Sequence, residues 1–164
     1  MMDASQNPYQ PPQSPLETAE NAELKGLGGW LILVGFGLIV TVIMLPLAVL
    51  GIVYLAQGSP GAMKTPYVIF TIIGYLAWAG LAGFSLYLFF TKSRRFPRFF
   101  IGYTLFGLFV CVADAFLFRF APAGLLDTAE SGDVTRQLFQ QLFYTVIWVT
   151  YMQRSKRVKN TFVE

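Results

Sequence analysis

Histidine is absent from this sequence, and cysteine occurs once, as Cys111. Without histidine the chain lacks the commonest general base and the commonest metal ligand near neutral pH. One cysteine permits no intrachain disulfide. Cys111 lies in an apolar stretch, where a thiol behaves as a small hydrophobe. Charge is scarce too: Asp, Glu, Lys and Arg together make up 13% of the residues, against about 25% in ordinary soluble domains. No CxxC, HExxH, Walker-type or GxGxxG pattern occurs. These absences leave soluble-enzyme chemistry little to work with. No catalytic, cofactor-binding or metal-binding residue is expected, and no cofactor.

What fills the chain instead is apolar. Hydrophobic residues account for 55% of its 164 positions and aromatic residues for 16%, with 16 Phe among them. The length allows one domain. The hydrophobicity is concentrated in four runs, Gly29–Ala56, Pro66–Thr91, Phe99–Phe118 and Thr135–Met152. A hydrocarbon layer ~30 Å thick needs about 20 helical residues. The runs are of that order, and they do not alternate as the strands of a membrane barrel would. Helix is then the remaining way to satisfy backbone polar groups in lipid. The expectation is an all-α polytopic membrane protein, an antiparallel four-transmembrane-helix bundle over 28–153, with helices at about 29–56, 66–91, 99–119 and 135–153. Pro46 offers a bend in the first helix, and Pro66 suits a helix start. Gln57-Gly58-Ser59-Pro60-Gly61 reads as a turn.

Residues 1–27 carry Pro8, Pro11, Pro12 and Pro15 among Asn, Gln and Ser, and read as a disordered tail. The acidic, Pro-rich start does not resemble a signal peptide. A short helical lead-in around 17–25 would dock at the membrane surface. Residues 154–164 form a basic tail.

Cytoplasmic loops carry the excess of Lys and Arg. With the N-terminus inside, the inner segments hold Lys25, the loop cations Lys92, Arg94, Arg95 and Arg98, and the tail cations Arg154, Lys156, Arg157 and Lys159. Only Lys64, Arg119 and Arg136 fall outside, with the acids Asp127, Glu130 and Asp133. Both termini are therefore expected in the cytoplasm. Arg94, Arg95, Arg98, Arg157 and Lys159 are candidates for a surface that meets anionic lipid headgroups or a protein partner. Nucleic acid is not an expected partner, because both basic clusters sit against the membrane.

Asp114 is the one acid inside an apolar run. Insertion of such a group costs ~2.5–3.5 kcal/mol, so it needs either a function or a partner. On the fourth helix Gln137, Gln141, Tyr144, Trp148, Tyr151 and Ser155 recur at three- and four-residue steps and share one stripe. Antiparallel depth places Gln141 and Tyr144 near Asp114. The candidate intramembrane polar site is thus Asp114, Gln141, Tyr144 and Trp148. Trp148 and Tyr151 fit equally an aromatic belt at the interface. In the second helix Ala79 and Gly83 form a small-xxx-small pair, which suits close packing within the chain or between copies.

Several segments carry a family resemblance: Gly26-Leu27-Gly28-Gly29-Trp30-Leu31, Phe89-Phe90, Lys92-Ser93-Arg94-Arg95-Phe96-Pro97, Ile147-Trp148, and Ser155 through Val163 with its pattern Ser-x-Arg-Val-Lys-x-Thr-Phe. Over about residues 25 to 163 the chain resembles domain-of-unknown-function family 2569. The resemblance implies small four-helix proteins of the bacterial inner membrane with no assigned activity. Phe162 and Val163 are placed to fold back beside the basic middle loop, making tail and loop one surface.

The functional expectation is a non-enzymatic accessory or membrane-organising component acting through protein or lipid contacts, alone, as a homo-oligomer or with a partner membrane protein. The alternative is a small oligomeric proton- or cation-linked transporter or channel using Asp114. A cavity reaching Asp114 would favour transport, and a packed, hydrogen-bonded carboxylate would favour contacts.

Overall fold

A computed structural model describes residues 28–58, 61–120 and 131–162, with side chains from Thr135 onward in the last segment. The Pro-rich tail and its lead-in, Ser59-Pro60, the acids Asp127, Glu130 and Asp133 as side chains, and Val163 lie outside the described residues.

The elements are α1 (Trp30–Gln57), a 3-10 turn (Ala62–Lys64), α2 (Pro66–Phe90), α3 (Phe96–Leu117) continuing into a 3-10 turn (Phe118–Phe120), α4 (Ser131–Arg154) and α5 (Lys156–Thr161). No strand occurs among the described residues. Local chemistry sets several boundaries. Thr65 caps α2, its hydroxyl accepting from the Val68 N–H at 3.5 Å, and Pro66 fills the first position. Lys92, with φ of 50°, turns the chain out of α2. α3 starts at Phe96, ahead of the expected 99, because Pro97 is tolerated in a first turn, where no intrahelical N–H bond is lost. Arg98 therefore projects from a helix and not from a loop. Pro46 lies inside α1 without ending it.

Among the described residues three helices are long and apolar enough to cross a membrane: Trp30–Gln57, Pro66–Phe90 and Phe96–Phe120. Their outward residues are large and apolar, including Phe36, Leu50, Ile73, Leu76, Phe109 and Phe116, all at least half exposed. A soluble monomer rarely shows so continuous an apolar surface, and the chain is a multi-pass membrane protein.

α4 differs from the other three in apolarity. Arg136, Gln137, Gln140 and Gln141 lower its hydropathy, and it does not reach the apolarity of the other three. Its amphipathicity is inverted relative to a soluble helix. Phe139, Leu142, Phe143, Val146 and Ile147 face outward, while Tyr144, Thr145, Trp148 and Met152 are half-buried or buried.

α1 packs on α2, α2 on α3, and α3 on α4. The α2–α3 register is explicit: Tyr67 meets Phe118, Thr71 meets Asp114, Gly74 meets Val110, Trp78 meets Gly107 and Phe84 meets Phe99. One index rises as the other falls, so the two helices are antiparallel. At Gly107 any side chain would collide with the Trp78 ring, which lies directly on the glycine.

Candidate functional site

Two regions concentrate polar and charged side chains. The first is at the end of the molecule where α2 stops, α3 starts and α5 docks. Ser155 begins α5 by accepting a hydrogen bond from the Val158 N–H at 3.4 Å. A helix this short is not stable by itself, so its order comes from packing. Val158, Thr161 and Phe162 are buried. The Phe162 ring lies 4.6 Å from that of Phe96 and 6.1 Å from that of Phe89, and Phe89 and Phe96 are themselves 5.3 Å apart. These three rings join Leu31, Phe100 and Met152 in one apolar cluster.

Beside that cluster opens a groove of about 860 Å³, lined by Arg94, Arg95, Pro97, Arg98, Phe99, Met152, Val158, Lys159 and Phe162. Among the described residues it has four cationic side chains, no acidic one, and an apolar floor. Arg94, Arg95, Arg98 and Lys159 of the expected basic surface thus come together, and tail and middle loop share one groove. Arg157 does not join them. It turns toward the start of α1, where a Cβ built on Gly28 would stand 2.6 Å from its Nη1. Gly29, with φ of 59°, lies against the same guanidinium. The glycine pair therefore leaves room for Arg157.

The second region lies in the interior of the helices. Thr71 Oγ1 is 2.8 Å from Asp114 Oδ1 and 2.9 Å from the Tyr67 carbonyl, so its single proton has two acceptors within reach. Tyr75, one turn along α2, brings its hydroxyl near the same carboxylate. The expectation that α4 supplies the partners of Asp114 is corrected: they stand on α2. The antiparallel register puts position 71 opposite 114, while the polar stripe of α4 turns elsewhere.

Gln141 and Tyr144 instead line a groove of about 410 Å³ with Gln137, Gln140, Tyr75, Trp78, Cys111, Met44, Leu45 and Ala48, so all four long helices contribute to it. The Tyr144 hydroxyl lies near Gly37 of α1. Gln141 Nε2 and the Thr145 hydroxyl are buried without a hydrogen-bond partner. Trp78 Nε1 approaches the Tyr103 hydroxyl without good hydrogen-bond geometry. Trp148 stands apart from Asp114, in an aromatic ladder with Tyr144 at 6.1 Å, Tyr151 at 5.8 Å and Trp30 of α1 at 6.5 Å. Of the expected polar site, Gln141 and Tyr144 share a groove, and Asp114 and Trp148 lie outside its lining.

Sequence reasoning missed Thr71, Tyr75 and Trp78. A usable signal was present, since Thr71 and Tyr75 are four residues apart on one helix face at the depth of Asp114.

The family model described as "Protein of unknown function (DUF2569)" matches residues 24–163. The chain belongs to this family. The match takes in the Gly-Gly-Trp opening, the middle loop and the C-terminal motif, the three segments that meet around Phe162 and Arg157. Neither the search of curated proteins nor the search of solved structures finds a match.

Proposed function

We propose that this protein is a non-enzymatic, four-pass component of a bacterial inner membrane that works through a contact surface at its cytoplasmic end. The docked C-terminal segment carries this reading. Phe162 packed against Phe96 and Phe89 fixes Lys159 beside Arg94, Arg95 and Arg98. A tail needed only for its charge would not require a capped helix and three buried residues.

The fourth crossing is part of the proposal. An apolar outer face on α4, with glutamine, tyrosine and threonine turned inward, suits a helix bounded by lipid on one side and by protein on the other. α4 then completes an antiparallel bundle and returns the tail to the side of the middle loop. Eight of the twelve cations, those of the middle loop, the start of α3 and the tail, belong to that side, which the positive-inside rule makes cytoplasmic. Topology is tested by cysteine labelling in intact cells on a Cys111→Ala background. Lys64→Cys should react with a membrane-impermeant maleimide, and Asn160→Cys should react only after permeabilisation. Labelling of Asn160→Cys in intact cells would remove the fourth crossing.

The transport alternative has less support. Asp114 is hydrogen-bonded by Thr71 and lies outside the lining of the four-helix groove. Reconstitution into liposomes under a proton or potassium gradient separates the two readings. The contact reading expects flux equal to that of empty vesicles. Flux that disappears in Asp114→Asn would establish transport instead.

A further inference from the structure

The basic groove is amphipathic in a particular sense. Its cations come from two directions, Arg94, Arg95 and Arg98 from the α2–α3 turn and the first turn of α3, and Lys159 from α5. Between them lie Pro97, Phe99, Met152, Val158 and Phe162. Phe99 and Met152 belong to helices that continue into the apolar slab, and Phe99 packs edge-on against Phe84 at 4.8 Å. Phe84 is 49% exposed, so an apolar track leads from the charged rim along the outer surface of α2 and α3. A surface shaped only for a soluble acidic peptide has no use for that track. Bulk adsorption of anionic lipid has no use for a groove that joins a cationic rim to that track.

On the reading that this end is a contact surface, we infer that the groove binds a single anionic glycerophospholipid of the cytoplasmic leaflet. Its phosphate sits among Arg95, Arg98 and Lys159, and an acyl chain lies along Phe99 and Phe84. Arginine offers planar paired donors to phosphate oxygens, and lysine adds a point charge that can follow the headgroup. Among the described residues no acidic side chain lines the groove. The apolar floor excludes water from one side of the phosphate and lowers the local dielectric, which strengthens the charge pairing. Because Lys159 is presented by the docked tail, occupancy and tail docking are linked. Lipid that requires the docked tail stabilises it in return.

The test uses the full chain in nanodiscs of equal phosphatidylglycerol and phosphatidylcholine, followed by release into mild detergent and native mass spectrometry. The expected result is preferential retention of one phosphatidylglycerol per chain. The double variant Arg98→Gln with Lys159→Gln should lower that retention about twenty-five-fold, since each cation near a headgroup is worth roughly a fivefold change in binding. Lys92→Gln, a charge change at an exposed loop residue outside the groove lining, should leave it unchanged. Equal retention of the two lipids, or retention unaffected by the double variant, overturns the inference. Trypsin protection of the Arg154–Lys159 segment is read on the same samples. A protected tail without lipid preference overturns the lipid site and leaves the contact surface standing. A tail cleaved as fast as a free peptide overturns both.

Discussion

The two polar regions of this protein are built on opposite terms. At the α5 end, large side chains are buried in mutual contact: Phe162 on Phe96, Phe96 on Phe100, Val158 and Met152 beneath them, with the charges kept at the rim. In the four-helix groove, polar atoms are buried and several go unpaired, Gln141 Nε2 and the Thr145 hydroxyl among them. Farther from the α5 end stands Asp114, an intramembrane carboxylate paired with Thr71 across the α2–α3 interface. The difference teaches which substitutions should hurt. Where burial and pairing are complete, removal of a group leaves a cavity or an orphan. Where pairing is incomplete, removal takes away a penalty that is already present.

The largest effect is expected for Phe162→Ala. A buried Phe→Ala change costs about 3–5 kcal/mol in a closed core. Here the loss falls on one short segment, so α5 should undock while α1 to α3 remain folded. Hydrogen exchange should show loss of protection confined to 155–162, and trypsin should cleave at Arg157 and Lys159. If protection in α1 and α2 were lost together with the tail, the aromatic cluster would be a keystone of the whole bundle and not a local clasp.

Thr71→Val comes next. It preserves shape and deletes the hydroxyl 2.8 Å from Asp114 Oδ1. Stranding a buried acceptor costs about 1–3 kcal/mol, which should appear as a lower unfolding midpoint in nanodiscs. Combining Thr71→Val with Asp114→Leu should recover much of that loss, because both polar partners are then gone. No recovery in the double variant would mean that Asp114 is held mainly by Tyr75.

The contrast also explains what was legible beforehand. The helices were, because lipid imposes long apolar runs and leaves no other spanning structure without a barrel. The fold-back of Phe162 was legible as well, since a bulky apolar residue after a cationic stretch at a membrane surface has few places to go. The partner of Asp114 was not. Depth matching favours α4, whose repeated glutamines and aromatics are conspicuous, over α2, where a threonine and a tyrosine look like ordinary packing residues. The inverted amphipathicity of α4 was hidden for a related reason. A stripe of polar residues identifies a face but not whether that face looks toward protein, a groove or water. The Arg157–Gly28 contact depends on two segments far apart in sequence, and local pattern cannot reveal it.

Ser155→Ala sharpens the account of the α5 end at smaller scale. Loss of an N-cap hydroxyl costs about 1 kcal/mol, a large share of what so short a helix can hold. Amide exchange at Val158 should accelerate roughly fivefold, while Phe162 stays docked in most molecules. Ser155→Asp, which keeps a capping acceptor, should restore protection. If Asp fails to do so, the role of Ser155 lies in the bend between α4 and α5 and not in capping.

Gln141→Leu is the smallest change and the one with opposite sign. The Gln141 amide nitrogen is buried without an acceptor, and a buried, unpaired polar group carries a penalty of about 1–3 kcal/mol. Leucine keeps comparable volume and removes the penalty. The variant should therefore be as stable as the parent or up to about 1 kcal/mol more stable, the gain being trimmed by imperfect packing against Tyr75 and Met44. The comparison with Thr71→Val is the informative one. Both replace a buried polar side chain by an apolar one of similar size, yet one severs a pair and the other deletes an orphan. If Gln141→Leu instead destabilised the protein as much as Thr71→Val does, the amide would have a partner in the membrane. Water in the four-helix groove is the simplest candidate.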